Sequence, residues 1–288
     1  MEWLDAQNPT GSRLFRRSEL NSYTFDDIRL PLAASQQGIR KPKSLGAALS
    51  ILTTYTPPGQ RPPYNDAVGP DGFCRYKYRG DDPCHYENRA LRTALSHRLP
   101  LIWFIAAAPG AYVPVYPVWI VAEEPEHLQF VLAVDEAQRL VPVGSPIGAD
   151  ERVYLEHLTR QRVQQPLFRA LVLQAYDSRC AICRLRYPSL LDAAQILADG
   201  HPRGTTEVVN GLALCKIHHA AFDANLLGVR PDLVVVVRPD VRSAKDGPML
   251  RHGLQEMDGT RLLVPASRAA RPDPERLEER YAAFVQAG

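Results

Sequence analysis

Four residues constrain this chain more than any others: Cys180 and Cys183, then Cys215 and His218, each pair separated by two residues. Two ligands at that spacing sit on one turn and reach a single ion, and two such turns complete a tetrahedron. Thiolates with an imidazole suit zinc, which has no redox chemistry to disturb a fold. All four positions are filled by the chain, so the expected Zn2+ site is structural and closed to substrate. The odd total of five cysteines argues against a disulfide framework. Cys74 and Cys84 lie far upstream and read as ordinary thiols.

The 288 residues are enough for two domains, each with its own core. A hydrophobic content of 45% and a charged content of 23% are those of a globular chain. The most apolar stretch, 99–121, is broken by Pro100, Pro109, Pro114 and Pro117. It reads as buried strands and turns rather than a membrane span, which takes about 18–20 unbroken apolar residues. The first residues, MEWLDAQNPTGSR, lack a basic region followed by an apolar core. The expectation is no signal peptide, no membrane partner and a cytoplasmic location.

A net charge of +2 does not announce a nucleic-acid partner. The distribution says more. Arg13, Arg16, Arg17, Arg29, Arg40, Lys41 and Lys43 make the early chain basic, and Arg152, Arg160, Arg162 and Arg169 precede the cysteine cluster. Phosphate contact and solvated faces are the two readings of such residues.

Along the chain, residues 1–20 are polar and basic and read as a partly ordered arm. From about Tyr23 to Val134, short apolar runs alternate with Pro and Gly. LGAALSILTTY, FCRYKYRG, LPLIWFIAAAP, YVPVYPVWIV and QFVLAV read as strands. ENRALRTALSH (87–97) reads as a helix, with Ala90, Leu91, Ala94 and Leu95 on one face. The Pro/Gly-rich run 142–151 is the expected boundary, followed by a helical stretch over 151–176. Beyond the cysteines, 233–238 reads as a strand and 272–286 as a capped helix. Trp103, Trp119, Tyr112 and Tyr116, set among prolines, read as core.

Within the cysteine stretch, LDAAQI (191–196) and VVNGLALCKIHHAAFD (208–223) resemble the HNH endonuclease family, a ββα-metal fold. The resemblance covers about 177–227. It implies phosphodiester hydrolysis with Mg2+ or Mn2+. It makes Asn210 the residue that orients the reactive loop and His219 a ligand of the catalytic divalent metal. Asp223, four residues later on the same helix face, is a possible second ligand. The family's general-base histidine falls on Gln195, and a carboxamide cannot take a proton at neutral pH. Three accounts stay open at this point. The chain is an engineered inactive form, or a natural variant whose base lies elsewhere (His201 and Asp192 are nearby), or a fold kept for binding alone.

Upstream, 38–80 resembles the SRA (YDG) domain through Gly38 and Ile39, Ala48 to Ile51, Tyr64 to Asp66, and Tyr76 to Gly80. Residues 87–91 match the helix that follows. The resemblance implies that a modified cytosine is flipped from the duplex into a pocket formed by Tyr64, Asp66 and Tyr78. The two rings would sandwich the base and the carboxylate would accept from its amino group. Arg40, Lys41, Arg75, Lys77 and Arg79 would then hold the DNA backbone.

The expected fold class is α+β: an N-terminal β-rich SRA/PUA-like curved sheet or barrel plus a C-terminal zinc-braced ββα-metal HNH domain. The expected divisions are 1–20, the arm; 21–141, the reader; 142–165, linker and helix; and 166–288, the nuclease. Together these imply a modification-dependent endonuclease that restricts foreign DNA carrying 5-methyl- or 5-hydroxymethylcytosine. The alternative is a modified-DNA binder that does not cut. One HNH module cuts one strand, so double-strand cleavage implies a homodimer.

Overall fold

The computed structural model describes all of the chain except residues 10, 12, 34–37, 57–67, 146–147 and 288. It contains two compact units, Met1–Leu167 and Phe168–Gly288. Among the described residues no helix is long and apolar enough to cross a membrane.

The N-terminal unit opens with α1 (Glu2–Gln7), β1 (Phe15–Arg16) and α2 (Arg17–Asn21). This segment is not the loose arm its polarity suggests. Leu4, Phe15 and Leu20 are fully buried in a cluster with Leu52, Ile102 and Phe104. Each such side chain contributes about 1.5–3 kcal/mol on burial, which offsets the ordering of a short segment.

There follow β2 (Thr24–Phe25), β3 (Ile28–Arg29), β4 (Ile39–Arg40), β5 (Ser50–Thr53), β6 (Cys74–Lys77), α3 (Tyr86–Ser96), β7 (Leu101–Ala108), β8 (Ala111–Glu124), β9 (Gln129–Ala133), α4 (Glu136–Arg139), α5 (Ala149–Thr159) and α6 (Gln165–Ala175). The main sheet has seven strands, in the order β4-β5-β7-β8-β9-β6 with β1 beside β8. The long strand β8 makes it curl. Its first part pairs with β7 and its second with β9, and register shifts interrupt both ladders. Such bulges bend a strand and increase its twist. The outcome is a curled half-barrel in a mixed α+β chain, in keeping with the expected curved sheet.

Helix α3 presents Ala90, Leu91 and Ala94 to the sheet core around Trp103, Ile120 and Phe130. Trp103, Trp119 and Tyr112 are core residues, as their apolar surroundings suggested. Helix α5 belongs to this unit rather than to a linker. Leu155 and Leu158 pack on Phe73 and Val131, and a buried polar staple fixes them. The Gln138 carboxamide accepts from the Val134 N–H (2.7 Å) and donates to Thr159 Oγ1 (2.8 Å), which donates to the Gly72 carbonyl (2.6 Å). A buried network satisfied in this way holds one arrangement.

The C-terminal unit contains β10 (Leu191–Gln195), β11 (Gly211–Cys215), α7 (Lys216–Asp223), β12 (Leu227–Val229), β13 (Val235–Val237), α8 (Pro239–Ser243), α9 (Pro248–Gly253) and α10 (Pro274–Ala287). β10 and β11 pair antiparallel from Leu191 opposite Cys215 to Gln195 opposite Gly211, and α7 starts at the next residue. The order is ββα. Leu191, Ala194, Leu212, Leu214 and Phe222 form its core with Phe168, Val172 and Tyr176. Gly211 is required by close approach, because a Cβ there would lie 2.4 Å from Val172 Cγ2.

Candidate functional site

The end of β11 and the first turn of α7 carry Cys215 and His218, and a turn ahead of β10 carries Cys180 and Cys183. The Ala181 N–H donates to the Ala213 carbonyl (2.6 Å), which ties that turn to β11. Ligand atoms of all four residues lie within 4.8 Å of one another. His218 Nδ1 is 3.5 Å from Cys180 Sγ and 3.2 Å from Cys215 Sγ, and Cys183 Sγ is 4.0 Å from Cys215 Sγ. Bonds of about 2.0–2.3 Å to a tetrahedral zinc put ligand atoms roughly 3.5–3.8 Å apart, so the cluster fits that ion. Its electrostatics agree. Burial alone would push the His218 imidazole down, but Cys183 and Cys215 pull it up to about 9. His218 Nε2 donates to the Gly253 carbonyl (2.8 Å), which fixes the ring so that Nδ1 faces the sulfurs.

Asn210 is fully buried where the loop 197–209 rejoins β11. Its Oδ1 accepts from the Leu197 N–H (3.0 Å), and its Nδ2 donates to the carbonyls of Leu197 and Thr205 (both 2.9 Å). One side chain thus closes the loop at both ends. Gly204 closes it further: a Cβ would sit 1.9 Å from the Ala198 carbonyl oxygen. The far side of the loop is held by α10. His201 Nε2 lies 2.6 Å from Glu279, Arg203 pairs with Glu275 and Glu279, and Arg276 donates to Thr205 Oγ1 (3.0 Å).

His219 follows His218 on α7 and faces two carboxylates. Its Nδ1 is 3.6 Å from Asp192 Oδ2 and its Nε2 is 3.4 Å from Asp223 Oδ2. The structure therefore brings His219 and Asp223 together, as their spacing requires, and adds Asp192 on the opposite edge of the ring. Asp192 also pairs with Arg169 (3.2 Å) and with Lys216. Burial alone would raise its carboxyl, but Lys216 and Arg169 outweigh that and hold it below the usual carboxylate range.

Gln195 ends β10. Its Nε2 donates to Asp199 Oδ1 at 2.5 Å. The carboxamide is thus bonded to an acid of the loop. Of the two alternative bases the sequence suggested, His201 is engaged by Glu279 and Asp192 by two cations. Sequence reasoning missed Asp199, Glu279 and the Gly253 carbonyl, and read Arg169 only as a phosphate contact or a solvated residue. Asp199 lies only four residues beyond Gln195, but nothing in the sequence says how that loop folds back.

In the N-terminal unit, Tyr64 and Asp66 lie outside the described residues. Tyr78 corrects an expectation. It is 2% exposed, its ring packs on Phe130 (centroids 4.9 Å apart), its hydroxyl bonds to Glu123, and the Arg92 guanidinium lies 5.6 Å from its ring centre. Tyr78 directly follows β6 and is buried in the sheet core rather than set on its surface. Arg75 is likewise engaged, between Asp71 (2.8 Å) and Glu124 (2.9 Å). Lys77 Nζ donates to the His127 carbonyl (3.0 Å) and to Gln129 (2.6 Å), and Arg40 Nε to the Pro31 carbonyl (3.1 Å). Lys41 is half-buried, and exposed Arg79 lies 3.7 Å from the Glu87 carboxylate. Arg75, Lys77, Glu124, His127 and Gln129 line a cavity of about 390 Å³.

Residues 180–230 match the family model described as HNH endonuclease. No curated protein matches the chain. Among solved structures, the chain is similar to one titled "Modification dependent TagI restriction endonuclease", at 19% identity, over 86% of this chain and 85% of that chain, with a TM-score of 0.31.

Proposed function

We propose that this chain is a modification-dependent DNA endonuclease. Its C-terminal unit hydrolyses phosphodiester bonds, and its N-terminal unit finds 5-methyl- or 5-hydroxymethylcytosine in duplex DNA by flipping the base. The observation that carries the nuclease reading is the ββα unit itself. The Cys3His cluster braces it, Asn210 closes its loop, and His219 stands beside a carboxylate on α7. His219 and Asp223 hold the Mg2+ or Mn2+ ion, which when bound stabilises charge on the phosphate and on the leaving oxygen. The reader rests on the sequence resemblance over 38–91 and on the curled sheet. Tyr64 and Asp66 meet the flipped base, while Tyr78 supports the pocket from the core. Arg79, Lys41 and Arg40 meet the backbone. Two copies of the chain, each cutting one strand, make a double-strand break.

Gln195 favours one alternative, a chain that binds modified duplex without cutting it. Both readings are tested by incubating the protein with plain, 5-methylcytosine and 5-hydroxymethylcytosine duplexes, with Mg2+ or Mn2+ and with chelator. Metal-dependent cleavage of the modified duplexes supports the nuclease. Selective binding without cleavage, by this chain and by Gln195→His alike, supports the binder. Equal affinity for all three duplexes removes the base-reading half of the proposal.

A further inference from the structure

We infer that Asp199 is the general base of this chain and that Gln195 positions it. The inference rests on the nuclease reading above. Three observations carry it. The Gln195 carboxamide gives one of its two N–H donors to Asp199 Oδ1, at 2.5 Å, so it fixes one oxygen of that carboxylate and leaves Oδ2 to meet a water. The segment that bears Asp199 is held from two sides, by the Asn210 side chain and by the bonds from His201 and Arg203 to Glu279. The two alternative bases that the sequence offered are engaged: His201 with Glu279, and Asp192 with Arg169 and Lys216. A base must be aimed before its strength matters, and Asp199 is the aimed acid beside the position of the missing imidazole.

The step balances without a further reactant. Water gives a proton to the Asp199 carboxylate while its oxygen bonds to phosphorus. The bond from phosphorus to the departing sugar oxygen breaks, that oxygen takes a proton from water, and Asp199 returns its own proton to solvent.

The same pair explains how a glutamine is accommodated here. An imidazole at position 195 would donate one N–H to Asp199 and present its other nitrogen to the water. Base and orienting group would then exchange roles.

The test compares four proteins in single-turnover cleavage of a duplex carrying 5-methylcytosine with Mn2+: the chain as it stands, Asp199→Asn, Gln195→His, and the double variant. Zinc content and duplex affinity are measured for each, to show that the loop and the fold survive. We expect Asp199→Asn to lower the rate by about 10²-fold or more with zinc content and affinity unchanged. We expect Gln195→His to raise the rate at least severalfold. In the Gln195→His background, Asp199→Asn should cost no more than about tenfold, because the proton then has another acceptor. An Asp199→Asn protein that cuts at the starting rate overturns the inference and leaves the nuclease reading standing. The inference is overturned in the same way if only proteins with Gln195→His cut. It is overturned too if the double variant is as slow as Asp199→Asn alone, which would make Asp199 a brace for the loop. If none of the four cuts, the nuclease reading falls and the inference with it.

Discussion

The two units treat their chemistry-bearing residues in opposite ways. In the C-terminal unit, four ligand atoms converge within 4.8 Å and leave their charge to be met by an ion. In the N-terminal unit, two residues that suggested a DNA contact have met other side chains: Arg75 lies between Asp71 and Glu124, and Lys77 on Gln129, while Arg92 likewise lies against Glu123. The difference is one of sequence distance. The C-x2-C and C-x2-H pairs preset two turns, and a single hairpin brings them together. The ion pairs join Arg75 of β6 to Glu124 of β8 and Arg92 of α3 to Glu123 of β8, so they depend on how distant elements pack. Short spacing fixes convergence; long-range pairing cancels charge that the linear sequence shows as free.

The largest expected effect that would break this contrast is metal removal. A strong chelator, or Cys180→Ser, should unfold the C-terminal unit, because binding at such sites is worth on the order of 10 kcal/mol. The N-terminal unit should keep its thermal transition. Calorimetry with zinc determination checks this, and a chain that melts unchanged after zinc removal would make the cluster mere packing.

Next is Asn210→Ala. It removes three hydrogen bonds from a buried position and should cost about 3 kcal/mol, read from denaturant unfolding. Hydrogen exchange at Leu197 and Ile196 should accelerate ahead of the strand interior.

Arg75→Ala tests the self-paired side. It leaves Asp71 and Glu124 without their cation and should cost about 2 kcal/mol at neutral pH, since the group is partly buried. Burial raises both carboxyls, but Arg75 outweighs it and holds them low. A depressed carboxylate lends stability above its unfolded value, roughly pH 4, and loses it as pH falls through the folded value. The gap between variant and parent should therefore close below about pH 4. If the gap persists there, packing of the arginine stem, not charge, is what the substitution removes.

The smallest effect is a gain. Glu87 is fully buried, and its Oε2 has no hydrogen-bond partner. Burial raises its carboxyl above the ordinary range despite Tyr86, Arg79 and His85. A raised acid favours the fold when protonated and loses that advantage as pH rises through the folded value. Glu87→Gln should stabilise the N-terminal unit by about 1 kcal/mol at pH 7 and by nothing at pH 4. Thermal melts at the two pH values decide it.

The convergence of Cys180, Cys183, Cys215 and His218, and the approach of His219 to Asp223, are legible in the sequence because each depends on a neighbour three or four residues away or on one hairpin. So are the strands, whose apolar runs are their own signal. Residues 1–20 mislead because polarity averages over a segment, whereas packing is decided by single residues such as Leu4 and Phe15. Tyr78 misleads because an aromatic next to a strand looks the same on either face of a sheet, and only the fold sets it beside Phe130 and Glu123. The bond between Gln195 and Asp199 is invisible in the sequence because it needs the fold-back that Asn210 and Gly204 impose together.

His218 and His219 are successive residues of α7, so their side chains leave the helix about 100° apart. His218 is gripped at both nitrogens, by the sulfurs on one side and by the Gly253 carbonyl on the other. That grip sets the rotational phase of the whole helix, and with it the bearing of His219 toward Asp192 and Asp223. With zinc in place the helix has a fixed compass heading. Without an ion between the sulfurs and Nδ1, the same residues in the same order would hold that heading more loosely, and His219 would lose its aim first.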